Sequence, residues 1–346
     1  MRTVIGKGMQ ASKIFVQLIL LLMTIIVLSP LAFAQQKSAE QLSYIAQDKS
    51  NNKATRIEAF QQLATLPSQS ALIAVARGLK DPQHEIRLAA VEASTLYSFT
   101  HRWRLLSPLM SDLVFDVRGA VVENLVVDYP QMNAVQKQQF LPLFNDWTVK
   151  MEQNNSNESL LKAGHGYSAI EDYDSARRVY RQIIEHCLPN KYSDEIEQAW
   201  VGISETYRLE NKDQQALSVL EDVLQSVPDE PQILYLKALA LVRLSLNEQA
   251  AEVMNTAANI AEDNSHYWYV NGILQDSVNK DEAKLSLKKA YQLSNSSEHL
   301  YALCDFKIRH SDNHAKQCVM QLKSVAPAPV INDLMSRIDN RNIVAN

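Results

Sequence analysis

The stretch WVGISETYRLENKDQQALSVLEDVLQSVP, residues 200–228, decides the fold. Trp200 and Tyr207 stand seven residues apart on one face of a helix, and Ala216 and Leu220 stand four apart on a second. Pro228 closes the unit. A single helical pair cannot bury its apolar sides alone, so the spacing has to recur. It does. Trp268 and Gly272 repeat the start of the unit 68 residues on, twice a period of 34. Between them Leu234, Ala238, Ala250, Met254 and Ala257 fill a further unit. Upstream, Leu160, Gly164, Tyr167, Ala176 and Tyr180 keep the same internal spacing, displaced by a six-residue insertion around 189–193. Downstream, Ala283, Leu287 and Ala290 follow a loop shorter by one residue, and Leu300, Cys304, Ala315, Val319, Leu322 and Pro327 make a last hairpin.

On these residues the region 151–328 resembles the tetratricopeptide (TPR) family, with Trp200, Tyr207, Ala216, Leu220 and Pro228 at repeat positions 4, 11, 20, 24 and 32. The resemblance implies antiparallel helical hairpins stacked into a superhelix. Small residues at positions 8 and 20 let the two helices of a hairpin approach, and bulky ones fill the gap to the next hairpin. Residues 329–346 are expected to cap the array, because Ile331, Leu334, Met335 and Ile338 fall at helical spacing beside polar neighbours.

A second period, of 31, runs through 35–150. Thr55-Arg56, Ile86-Arg87 and Val117-Arg118 recur at that interval, each opening an apolar stripe. Asp81-Pro82 and Asp112 sit at the turns, where an aspartate suits an N-cap and a proline a first helical turn. The pattern resembles short HEAT-like repeats. The polar stretch Glu152 to Asn157 reads as the junction between the arrays. The expected fold class is therefore all-α, a helical-hairpin solenoid in which a HEAT-like array is followed by a TPR superhelix. The 8 Gly and 11 Pro in 346 residues agree with helix throughout.

Residues 1–34 read as an export signal. Arg2, Lys7 and Lys13 precede an apolar run from Ile14 to Val27, and Ala32-Phe33-Ala34 predicts cleavage before Gln35. A Gram-negative periplasmic location follows as an expectation, with no membrane span after cleavage. The whole chain carries a net charge of −5, and removal of those three cations takes it to −8. An acidic chain with no clustered Lys or Arg argues against nucleic acid. Cys304 and Cys318 lie on the two expected helices of one hairpin, where they either pair or remain buried thiols; Cys187 is left over.

HEAT-like pairs followed by TPR units behind an export signal resemble the haem-free C-terminal half of periplasmic multihaem c-type cytochromes. The likeness is closest at Asp81-Pro82 with Ile86-Arg87-Leu88-Ala89-Ala90, and also close at Ala238 to Arg243 and at Tyr267 to Val270. Those cytochromes attach haem at C-x-x-C-H, which this chain lacks, so electron transfer does not carry over.

Other chemistry is sparse. His310 and His314 are four apart with Asp312 between them, a spacing that can hold a metal on a helix; here it falls at an inter-helix turn with no third ligand near, and a solvated turn is the simpler reading. No Gly-rich phosphate loop or nucleophile elbow occurs. No catalytic residue, metal ligand or cofactor is assigned, and the chain is read as no enzyme. Trp103, Trp147, Trp200 and Trp268 are read as repeat core.

By resemblance to the TPR family, the A helices line a concave groove. Its repeat positions hold Leu161, His165, Val201, Glu205, Arg208, Tyr235, Leu239, Val242, Tyr269, Ile273 and Asp276, with Arg243 beside them. Tyr, aliphatic and Arg side chains together suit a protein or peptide site. The expected function is a scaffold or adaptor for a protein partner, serving a respiratory cytochrome system or envelope assembly. The rivals are a structural subunit of a stable complex and a metal-dependent enzyme accessory at His310 and His314.

Overall fold

The computed structural model describes residues 37–187 and 193–344. The expected export signal (1–34) and nearly all of the insertion lie outside these residues. Among the described residues there are eighteen α-helices, two 3-10 segments and no strand. The chain falls into two compact units, one ending at Asn124 and one beginning at Leu125.

The first unit holds α1 (Ala39–Gln47), α2 (Lys53–Leu63), α3 (Gln69–Gly78), α4 (His84–Glu92), α5 (Phe99–Leu106) and α6 (Phe115–Leu125). The starts of α2, α4 and α6 keep the 31-residue period of the sequence. Side-chain caps fix several of the ends. Ser38 and Gln41 form a capping box on α1, and Asn52 and Ser68 accept the Thr55 and Ala71 N–H groups at 2.9 and 3.1 Å. Phe60, Leu63, Val75, Ile86, Val91 and Leu106 are buried on the inward faces.

Two arginine–aspartate pairs tie this repeat together. Arg56 Nη2 donates to Asp81 Oδ2 at 2.6 Å, with both side chains buried, and Arg87 grips Asp112 through Nε and Nη2 at 2.7 and 2.9 Å. Oδ1 of each aspartate also accepts a backbone N–H, from Gln83 and from Val114, each at 2.9 Å. Asp81 was expected as an N-cap, but the N-cap of α4 is Gln83. Asp81 instead fastens the turn from two residues earlier while holding Arg56 of α2, in the preceding repeat. Burial opposes ionisation of Asp81 and Asp112, but the arginines and the N–H groups outweigh it and hold both below the usual carboxylate range.

The second unit opens with a 3-10 segment, Val126–Gln131, and the long α7 (Ala134–Asn154). Five helical hairpins follow: α8 (Asn157–Ala169) with α9 (Tyr173–Cys187), α10 (Asp194–Leu209) with α11 (Asp213–Ser226), α12 (Pro231–Arg243) with α13 (Asn247–Ile260), α14 (Ser265–Gln275) with α15 (Lys280–Ser294), and α16 (Ser297–Arg309) with α17 (Ala315–Leu322). The last helix is α18 (Ala328–Val344). The junction expected at 150/151 falls inside α7. The polar stretch after it is the end of that helix and a two-residue turn, with Asn155 left-handed (φ 55°) and Ser156 accepting the Ser159 N–H at 3.2 Å. Polar residues mark caps and turns as readily as linkers, which is why composition does not separate them.

The repeat is written into the backbone of the A-to-B turns. Glu171, Asn211, Ser245 and Ser311 are all left-handed, with φ of 66°, 58°, 63° and 54°. The N–H of the next residue in each case closes back onto the helix before it, as in Asp172→Tyr167 and Leu246→Leu241, both 2.9 Å. Asn211 and Ser245 are one period apart; Glu171 precedes Asn211 by that period plus the insertion.

Close approach of helices uses the small positions. A Cβ built on Gly164 would stand 2.4 Å from Tyr180 Cε1, and one on Gly202 would stand 2.5 Å from Cζ of the same ring. Tyr180, on α9, is 1 % exposed, wedged between α8 of its own hairpin and α10 of the next. Burial pushes its phenol up to about 12. Trp147 and Trp268 are buried as expected of core residues, while Trp103 and Trp200 are partly exposed. Cys304 and Cys318, both buried, form a disulfide that joins α16 to α17, with Cα atoms 5.4 Å apart. Helix α18 packs Ile331 and Leu334 into the core of that hairpin, and Arg337 donates to Asp305 at 2.6 Å.

Candidate partner-binding face

The A helices α8, α10, α12, α14 and α16 carry the residues expected to line a groove. Not all of them are offered to a partner. Leu161 is buried among Leu160, Ala163 and Ile183, so it belongs to the core of the first hairpin and not to an open face. Its helix starts the array, and the residue meets apolar neighbours where later repeats meet solvent. His165 is exposed along one edge, with its ring 5.9 Å from that of Tyr180; crowding by protein atoms lowers its pKa.

Val201, Leu239 and Val242 are half-buried, and Ile273 is exposed. Glu205 and Arg208 form a two-bond ion pair on one turn of α10, which holds the guanidinium pKa above its ordinary value. Arg243 and Asp276 are already engaged. Arg243 Nε donates to Asp213 Oδ1 at 2.5 Å, and Asp276 accepts from Arg309 and lies 2.5 Å from His310 Nε2. These two positions tie one hairpin to its neighbour.

The structure brings Tyr235 and Tyr269 together through rings that sequence reasoning did not single out. Tyr267 stacks on Tyr235, with centroids 5.1 Å apart and planes 15° from parallel. His266 meets Tyr235 edge-on at 5.7 Å, its Nε2 lying 3.2 Å from the phenol oxygen, and its ring is 6.4 Å from Tyr269. Tyr269 stacks on His299 at 4.9 Å. His299 is buried, and Ser294 Oγ lies 2.7 Å from its Nδ1. The signal for these rings was the shared N-terminal position of His266, Tyr267 and His299 on the A helices, legible only once the helices are superposed by period.

The two histidines considered for metal binding turn to different carboxylates. His310 engages Asp276 of the preceding hairpin and packs on Phe306, with centroids 4.4 Å apart. His314 is exposed beside Asp312, at 3.2 Å. Asp312 is held at about 2, first by a hydrogen bond from Lys284 and then by the His314 N–H. No group of three or more His, Cys, Asp or Glu suited to a metal occurs among the described residues. No described helix is long and apolar enough to cross a membrane.

Hairpins of this spacing, with small residues at the helix crossings and left-handed A-to-B turns, define a TPR-like helical repeat protein. Comparison with solved structures gives likenesses of low sequence identity. One is YrrB, described as a TPR protein with an unusual peptide-binding site: 14 % identity over 55 % of this chain and 97 % of that one, with a TM-score of 0.43. Another is a thermophilic TPR protein of Thermus thermophilus: 18 % identity, 54 % and 100 % coverage, TM-score 0.36. A third is MamA: 13 % identity, 52 % and 96 % coverage, TM-score 0.38. No protein-family model and no curated protein sequence matches the chain.

Proposed function

We propose that this chain is a non-catalytic periplasmic scaffold that binds a segment of another protein on the A-helix face of its second unit. The observation that carries this reading is the run of rings from Tyr235 through His266 to Tyr269. These side chains are large, rigid and partly open, and they span adjacent repeats. Tyrosine is enriched among the few residues whose loss costs most at known protein interfaces. The 31-residue array is taken as HEAT-like, occupying 35–150, and the TPR array as 151–328. The export signal supports periplasmic residence, with cleavage before Gln35. The Cys304–Cys318 disulfide agrees with an oxidising compartment. Resemblance to the haem-free half of multihaem cytochromes makes a respiratory cytochrome system, or envelope assembly, the setting to test first.

Photo-crosslinking tests the surface. A crosslinker at Tyr235 or Ile273 should capture a partner in periplasmic extract, and one at Glu252 on α13 should not. Equal capture at all three sites refutes the assignment. N-terminal sequencing of the exported protein should begin at Gln35. A second reading, a structural subunit of a permanent complex, is favoured by Leu285, Leu293 and Met320, which stay exposed on the B helices. Copurification at fixed stoichiometry through high salt would support it.

A further inference from the structure

The repeat arginines of the first unit are not spent alike. Arg56, Arg87 and Arg118 stand one 31-residue period apart. Arg87 Nη1 donates to the Asp81 and Pro82 carbonyls at 2.9 and 3.2 Å. Arg118 Nη1 donates to the equivalent Asp112 and Leu113 carbonyls at 2.7 and 3.5 Å. Arg56 gives Nε to the Ala46 carbonyl at 2.9 Å and Nη2 to Asp81, but its Nη1 has no hydrogen-bond partner among the described residues. The side chain is only 6 % exposed, and a donor of a buried charged group is costly to leave unpaired. This one is not sealed in, because Arg56 borders a cavity of about 300 Å³.

The wall of this cavity is basic. Lys49, Arg77 and Lys80 line it beside Arg56, against one carboxylate, Asp81. Asp81 is already engaged, Oδ2 by Arg56 and Oδ1 by the Gln83 N–H. Lys49, Arg77 and Lys80 make no ion pair among the described residues. Arg77 is positioned all the same. Its Nη1 donates to Gln47 Oε1 at 2.6 Å, and Gln47 Nε2 is fixed on the Ser43 carbonyl at 2.7 Å. Asp48, next to Lys49 in the chain, turns to the Ser50 N–H at 2.9 Å and does not line the cavity. Cations after the ends of α1 and α3 also offset the helix dipoles. That accounts for their sign but not for the open Nη1 of a buried arginine. The next repeat does not copy the wall: Pro108 and Ser111 stand where Arg77 and Lys80 would recur.

We infer that this cavity binds the phosphomonoester group of a ligand, with Arg56 Nη1 and the Arg77 guanidinium donating to its oxygens and Lys49 and Lys80 balancing its charge. Three cations without an ion pair and two guanidiniums ask for more than a carboxylate, which brings two oxygens and one charge. A phosphomonoester brings three terminal oxygens and about two negative charges. The guanidiniums supply fixed donors, and the lysines supply point charges that adjust to the ligand. The inference does not rest on the A-helix face of the second unit.

The test titrates the mature protein with glycerol 3-phosphate by calorimetry at about 150 mM sodium chloride, where the Debye length of about 8 Å screens loose surface attraction. A Kd below about 1 mM is expected, with acetate weaker by about tenfold or more. Arg77→Gln should weaken binding by about tenfold, and so should Lys49→Gln with Lys80→Gln. Thermal unfolding should stay unchanged in both, since the lysines hold no ion pair and Arg77 bonds only Gln47; if one variant unfolds, the other decides. Lys316→Gln with Lys323→Gln, two exposed cations of the last hairpin, should change nothing. Cosedimentation with phosphatidylcholine vesicles containing phosphatidic acid separates the sources of the group. Glycerol 3-phosphate binding supports a soluble ester. Vesicle capture without it, lost in the cavity variants, supports a lipid headgroup. Binding of neither probe, acetate binding as tight as the phosphate, or binding that survives both folded cavity variants overturns the inference.

Discussion

Substituting Gly164 by alanine isolates the contact on which the TPR-like packing depends. In an exposed helix interior this change stabilises by about 1 kcal/mol, because alanine loses less backbone entropy than glycine. Here the added methyl would stand 2.4, 2.7 and 2.9 Å from three atoms of the Tyr180 ring, well inside van der Waals contact. The ring cannot withdraw, since Gly202 of the next hairpin meets its opposite side equally closely. Overpacking a filled core costs about 1–3 kcal/mol, and a rigid ring held from both sides belongs at the upper end. Gly164→Ala should therefore destabilise the protein by ~1–2 kcal/mol net. In a Tyr180→Leu background, which itself should cost roughly 2–3 kcal/mol through the cavity it leaves, the same glycine change should turn neutral or stabilising. The double-mutant cycle then gives a coupling of about 2 kcal/mol. Urea unfolding of the four proteins, with a common slope, measures each value. A Gly164→Ala protein more stable than wild type, or an equal effect in both backgrounds, would refute the argument that Tyr180 is wedged between the two glycines.

Arg56→Ala leaves Asp81 buried without its cation and should destabilise the first unit by about 3–5 kcal/mol; Arg56→Met with Asp81→Leu should recover most of that, measured by thermal unfolding. Cys304→Ala with Cys318→Ala frees a loop with 14 residues of sequence separation and should cost about 3 kcal/mol, read as faster amide exchange in α16 and α17. Asp312 has a folded pKa of about 2 against an unfolded value of 3.8. It therefore stabilises the folded chain above pH ~4 and loses that contribution as pH falls towards 2. Its partner Lys284 is half exposed, so screening limits the effect. Asp312→Asn should cost about 1 kcal/mol at neutral pH, with the gap to wild type closing on acidification; a gap constant from pH 7 to about 2 would contradict this.

How much of this was legible beforehand differs from element to element. The A and B helices were readable because Trp200, Tyr207, Ala216 and Leu220 carry periods that only a helix brings to one face. Gly164 and Ala176 were readable as crossing points because small residues stand where helices approach. The openness of the proposed groove was not readable. Repeat position marks the direction of a side chain, and Leu161 occupies the same repeat position as Tyr235, yet it is buried because different neighbours lie beside it. Arg243 and Asp276 read as free for a partner, but each is held by an ion pair to a residue 30 or more positions away.

The sequence by itself determined what is local and periodic: helix content, the two repeat lengths, the hairpin order, and the small residues at crossings. It did so because each follows from spacing along one chain and from side-chain size. Only the tertiary structure decided which equivalent positions stay open, that Cys304 meets Cys318, and that Tyr235, His266, Tyr267, Tyr269 and His299 join into one face. Those facts depend on distances between residues of different helices. Such distances are set by how each hairpin packs on its neighbours, and no spacing within a single helix contains them.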